Sequence, residues 1–130
     1  MRALLDTNIL VRHLTGDPPA QARRATAFLR GSDELVLTDL VVAELVYVLE
    51  SFYSRPRREV ATAARSLLAM TSVTVVDRDL LLRALEHYDS SRLDFAETYH
   101  AAAAELWGID RVASFDKALD RITTIERHEP

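Results

Sequence analysis

The chain has 130 residues, a size at which one hydrophobic core closes a domain. A hydrophobic fraction of 48% and a charged fraction of 28% are those of a globular protein and exclude wholesale disorder. Acids outnumber bases 20 to 16; the net charge of -4 argues against a bulk basic coat for nucleic acid, although a local basic patch remains open.

The first element is a short apolar run, Ala3-Leu4-Leu5, which reads as a buried strand ending at Asp6. Apolar residues at Ile9, Leu10, Val11 and Leu14 then have helical spacing, closed by Thr15-Gly16. Asp17-Pro18-Pro19 opens the next helix, with Asp17 as its expected N-cap, and Gly31-Ser32 breaks it. Leu35-Val36-Leu37 is a second strand, after which Thr38-Asp39 caps a helix that runs to about Tyr53 and stops before Pro56. Arg57 to Met70 reads as helix, Val73 to Val76 as a β-branched strand, and Arg78 to Tyr88 as helix again. A further helix spans Asp94 to Trp107, with Gly108 as its C-cap. Arg111 to Phe115 is a fourth strand and Thr123 to Ile125 a fifth. Short strands alternating with helices imply a three-layer α/β/α domain with a short, mostly parallel sheet of 4–5 strands, occupying residues 1–130 as one unit.

The absence of cysteine excludes disulfides, thiolate zinc sites and cysteine nucleophiles. No apolar run approaches the ~20 residues that span a bilayer, and the first apolar stretch ends at Asp6, too early for a secretory signal. A soluble, cytoplasmic protein without membrane contact is the expectation.

Acids stand where the local pattern asks for apolar or neutral groups. Asp6 and Asp116 each end a strand, the position outside which open α/β sheets bind ligands. Each is equally suited to capping the helix that follows. Glu44 lies in the run LVVAELVYVLE, about 40° from both Leu40 and Val48 on a helical projection. A carboxylate in so apolar a helix requires a base or a metal, while Glu50, turned about 120° away, suits a solvated face. Asp94 and Glu97 have capping-box spacing at a helix start and share neighbouring faces there. The run Ala101 to Ala104 lets that helix approach the sheet closely. An all-carboxylate set suits a hard cation, Mg2+ or Mn2+, and not Zn2+. The four histidines, His13, His87, His100 and His128, lack zinc-site spacing, and no phosphate-binding glycine loop or GxSxG elbow is present.

Four fragments in order carry a resemblance: LLDTNIL, TDLVVAEL, LDFAETYHAAAAELWG and RVASFDKAL. Together they resemble the PIN domain family and, within it, toxin ribonucleases of the VapC type. The resemblance spans the whole chain and assigns the family's catalytic, metal-holding acids to Asp6, Glu44, Glu97 and Asp116, with Asp94 matching the first acid of a DFADALHAA-like segment. The family's usual residue at the Glu97 position is Asp, a departure that bears on how many metals bind. Supporting polar groups would be Thr7, Asn8, Thr38 and Ser114.

The resemblance implies metal-dependent RNA hydrolysis with one or two Mg2+ ions (Mn2+ as alternative), leaving a 5′-phosphate and a 3′-hydroxyl. It also implies a small cognate antitoxin and a homodimer. Candidate RNA-binding arginines are Arg12, Arg55, Arg57, Arg58 and Arg92, each equally readable as solvated surface charge. The competing readings are a PIN-like binding module weakened by Glu97, a housekeeping RNA-processing nuclease and a phosphatase of small substrates.

Overall fold

The computed structural model describes residues 1–130, which divide into two compact units, Met1–Val76 and Asp77–Pro130. The architecture is helix-rich α/β: six α-helices and five short strands, every strand pair parallel.

In Met1–Val76 the order is β1 (Arg2–Leu4), α1 (Thr7–Thr15), α2 (Pro19–Gly31), β2 (Glu34–Val36), α3 (Asp39–Ser51), α4 (Arg57–Leu68) and β3 (Val73–Thr74). The sheet runs β1-β2-β3, with Ala3 opposite Leu35 and Leu35 opposite Val73. Leu35 is fully buried at its centre, and Leu10, Leu29, Leu45 and Leu67 bring the four helices onto the same core. Gly16 closes α1 at φ 73, a left-handed conformation that glycine adopts without Cβ strain, and its N–H bonds Arg12 O at 2.9 Å. Thr38 caps α3 by accepting from Val41 N–H at 3.3 Å. This cap fixes where α3 begins, and so which of its residues face α1.

Asp77–Pro130 contains α5 (Arg78–Ser91), α6 (Phe95–Trp107), β4 (Arg111–Ala113), a 3-10 helix (Lys117–Arg121) and β5 (Glu126–His128). Here Asp77 caps α5, accepting from Leu80 N–H at 3.0 Å. Tyr88 of α5 is fully buried and meets Phe95 edge-on, with ring centroids 6.3 Å apart. Ala101, Ala102, Ala103 and Ala104 are all buried, and a cluster of Leu93, Ala101, Leu119 and Ile122 holds the base of α6 to the 3-10 helix.

The first strand is Arg2–Leu4 with Leu4 exposed, the second is Glu34–Val36 and the fourth ends at Ala113, and three further local expectations shift. Asp17 is not the N-cap of α2; Pro18 holds that position without a side-chain bond, while the Asp17 N–H is taken by Thr15 Oγ1 at 3.3 Å. The third strand ends at Thr74, leaving Val76 exposed. The fifth strand lies at Glu126–His128 and not at Thr123–Ile125, because register against β4 decides it over β-branched propensity. Arg111 pairs with Glu126 in that register, and their side chains meet at 3.0 Å. The five strands form two hydrogen-bonded ladders, of three and two strands.

Candidate functional site

Within Met1–Val76, Asp6 follows β1 and occupies the N-cap position of α1, yet its carboxylate accepts no capping hydrogen bond. Capping therefore does not account for an acid at this strand end. The next residue, Thr7, is 5% exposed, and its hydroxyl donates to Glu44 Oε2 at 2.8 Å. That charge-assisted bond links the start of α1 to the middle of α3 and fixes one oxygen of the Glu44 carboxylate. A cavity of about 530 Å3 collects Asp6, Thr7, Asn8, Arg12 and Glu44 over a floor of Val11 and Val48.

Glu44 is not a buried charge, as the run around it suggests; it is exposed. With apolar residues on every face of α3, periodicity could not tell which face meets solvent. Val42, Leu45, Val46 and Leu49 take the core side, leaving Leu40, Glu44, Tyr47 and Ser51 as an exposed stripe. Glu50, expected on the solvated face, is half-buried and lies 3.7 Å from Arg57.

The other three acids lie in Asp77–Pro130. Glu97 Oε2 accepts from the Asp94 backbone N–H at 3.2 Å, the return half of a capping box at the start of α6. The Glu97 carboxyl also hydrogen-bonds the Asp116 carboxyl. That bond, then burial and the Asp116 charge, push Glu97 up to about 7. Asp116 is held below its ordinary value by the same bond and by the Ala118 N–H, which donates to Asp116 Oδ1 at 2.9 Å. Asp116 thus caps the 3-10 helix and pairs with Glu97 at once. Ser114 supports this turn, its Oγ accepting from Asp116 N–H at 3.0 Å.

The remaining residues have distinct settings. Thr38 is committed to the α3 cap, and Asn8 lines the cavity. Arg12 is held by Gln21 and by Asn8 O at 3.4 Å, with no carboxylate partner. Arg55 and Arg57 lie 3.7 Å from Glu59 and Glu50, whereas Arg58 and Arg92 make no ion pair. His100 is exposed, and His87 is buried beside Glu105. The aromatic pair Phe52 and Tyr53, which line the same cavity as Asp6 and Glu44, carries no sequence motif that would have singled it out.

All five acids offer oxygen donors. Glu97 and Asp116 are neighbouring carboxyls, one pushed up and the other held down by their mutual interaction, and all-oxygen donors of this kind fit a hard metal ion. No group of three or more acidic or histidine side chains is drawn together tightly enough to hold one as the structure stands.

A family model for the PIN domain matches residues 3–125. The chain belongs to the PIN domain family. Comparison with curated proteins found no match. PIN domains are generally metal-dependent nucleases that use divalent cations, and a PIN nuclease binds RNA. No helix of this PIN domain is long and apolar enough to cross a membrane.

Proposed function

We propose that the chain is a single PIN domain acting as a metal-dependent endoribonuclease, the toxin of a toxin–antitoxin pair, in the cytoplasm. The observation that carries the nuclease reading is the cavity of Met1–Val76, where an uncapped Asp6 and a Thr7-anchored Glu44 stand together in a chain of this family. The toxin assignment rests on the resemblance of LLDTNIL, TDLVVAEL and RVASFDKAL to toxin ribonucleases of the VapC type.

Asp6, Glu44, Asp94, Glu97 and Asp116 are the proposed ion-holding groups, with Mg2+ the proposed cation and Mn2+ its alternative. When bound, such ions supply Lewis-acid polarisation of the phosphodiester and lower the pKa of water. The chain's own residues do the rest. Thr7 fixes the Glu44 carboxylate, and Ser114 fixes the turn that carries Asp116. Arg12, which lines the cavity of Asp6 and has no carboxylate partner, is the proposed grip on a backbone phosphate, with Arg58 and Arg92 as further candidates. Water adds to phosphorus and the bond to the 3′-oxygen breaks. A proton passes to that oxygen, so the products are a 5′-phosphate and a 3′-hydroxyl. None of the five acids needs to act as a nucleophile. A small antitoxin and a second copy of the chain are the proposed partners.

The test is RNA cleavage in Mg2+ or Mn2+, repeated with Asp6→Asn and with EDTA. Cleavage that survives both controls would remove the metal-nuclease reading. A second reading has one observation in its favour: both the Asp94 N–H and Asp116 already engage Glu97. If that engagement spoils the metal site, the chain is a binding module, inactive on RNA yet still able to hold a small partner protein.

A further inference from the structure

The cavity that holds Asp6 and Glu44 is also lined by two aromatic side chains, Phe52 and Tyr53, at the far end of α3. Phe52 is 75% exposed, a large apolar surface left in water that adds nothing to the core of Met1–Val76. Its backbone is nonetheless fixed: Phe52 is the C-cap of α3 and its N–H bonds Val48 O at 2.9 Å. The chain is pinned again when Arg55 N–H bonds Leu49 O at 3.0 Å. Between these two bonds Ser54 adopts φ 50, a left-handed conformation that costs a non-glycine residue about 1–2 kcal/mol. The left-handed Ser54 and the bond from Arg55 N–H to Leu49 O form a helix-stopping turn, which fixes where the chain leaves α3 immediately after the aromatic pair. The tyrosine hydroxyl makes no hydrogen bond within the protein, and neither does the Asn8 side chain in the same cavity.

We infer that Phe52, with Tyr53 lining the same cavity, is a stacking platform for an unpaired nucleobase beside Asp6 and Glu44. This rests on the nuclease reading and names the side chain that would hold a base at that site. An exposed aromatic face on a fixed backbone, beside a guanidinium with no carboxylate partner, is the combination by which proteins hold single strands. Stacking takes the base, Arg12 takes a phosphate, and the Asn8 amide and Tyr53 hydroxyl are free to meet polar base edges. A second cavity of about 670 Å3 shares Asn8 and Arg12 and adds Arg24 and Phe28, continuing the track along α1 and α2. An apolar protein segment seated on Phe52 would instead leave Arg12, Asn8 and the Tyr53 hydroxyl facing apolar surface without partners. The base is therefore the better fit. Double-stranded RNA keeps its bases stacked inside the helix and cannot use the platform.

The experiment measures binding and not cleavage. A short single-stranded RNA carrying 2-aminopurine is titrated with protein in EDTA, so that fluorescence quenching reports stacking and no turnover occurs. Wild type quenches; Phe52→Ala weakens binding about tenfold and abolishes quenching, and Phe52→Trp restores both. Phe52→Leu, which keeps apolar area without a ring, behaves like the alanine variant. If Phe52→Ala binds and quenches as wild type does, the platform is overturned, even if the protein proves to be a nuclease. It is equally overturned if Phe52→Ala leaves RNA binding intact and changes only the oligomeric state, since the ring would then serve a protein contact. Quenching that depends on Phe52 in a protein that cleaves nothing supports the platform while removing the catalytic reading.

Discussion

Glu105 offers the sharpest test of the electrostatics that hold α5 to α6. Its carboxylate is 16% exposed; Oε2 accepts from Arg83 Nε at 2.8 Å, and Oε1 is bonded by His87 Nε2. Arg83 also reaches Glu86 at 3.0 Å, so one acid on α6 organises two basic side chains of α5. Replacing it by Gln keeps the volume and removes the charge. A hydrogen bond to a charged group contributes about 1.5–3 kcal/mol and a neutral one about 0.5–1.5, so each of the two partners loses about 1 kcal/mol. Arg83 is 30% exposed and regains some water, which keeps the sum near the lower end, about 2 kcal/mol. For a chain of this length that corresponds to about 6–8 °C in melting temperature. The readout is built in, because the only tryptophan, Trp107, lies two residues away on α6. Burial pushes the Glu105 carboxyl up, but the His87 and Arg83 bonds outweigh it and hold the group below its ordinary 4.5. A depressed acid contributes stability that is fully present above its unfolded value and lost as pH falls through the folded one. The gap between wild type and Glu105→Gln should therefore be widest near neutrality and close as pH falls below about 4.5. Urea midpoints followed by Trp107 fluorescence across that range decide the matter. A gap under ~0.5 kcal/mol at pH 7, or one that persists unchanged in acid, would show that Glu105 does not hold the two helices by its charge.

Three further outcomes are expected. Asp6→Asn should abolish metal-dependent cleavage while melting within about 0.5 kcal/mol of wild type, because the lost carboxylate caps nothing; a large stability loss would mean that Asp6 is structural. Glu97→Asp should preserve or raise cleavage, and complete loss would show that the longer arm bonded to the Asp94 N–H is required. Gly108→Ala should cost about 1 kcal/mol in denaturant titrations, from the left-handed φ of 68 alone, since open space surrounds the new Cβ; an unchanged midpoint would show that the α6 C-cap relaxes freely.

Local signals with a single physical cause are readable from the chain. Gly16 and Gly108 end their helices because each must adopt positive φ, and Thr38 starts α3 because its hydroxyl meets a free N–H. Features set by tertiary partners are not. Thr123-Thr124-Ile125 has the better strand composition, yet Glu126–His128 is the strand because β4 offers its register there. Asp17 sits before two prolines in good capping order, but the chain path gives the cap position to Pro18. Asp6 and Asp116 each admit two readings, cap or site residue, that no spacing can separate. Their hydrogen bonds separate them differently: Asp6 caps nothing, whereas Asp116 caps the 3-10 helix and still reaches Glu97.

Glu44 shows how a residue can be singled out on a premise that the fold does not meet. From sequence, its distinction is burial: a charge among valines and leucines must be neutralised. The side chain is exposed, and what distinguishes it is the Thr7 hydroxyl at 2.8 Å and the cavity shared with Asp6. An apolar helix whose exposed stripe carries Leu40 and Tyr47 beside Glu44 looks buried on paper because it places apolar residues on its surface. The same pattern hides Phe52, which reads as one more core residue at the end of an apolar run. Surface apolar residues that sit beside charged ones in a shared cavity are thus invisible to periodicity, which registers spacing and not neighbours. The net charge of -4 is blind in the same manner, since it registers a total and not where the five acids proposed to hold cations stand.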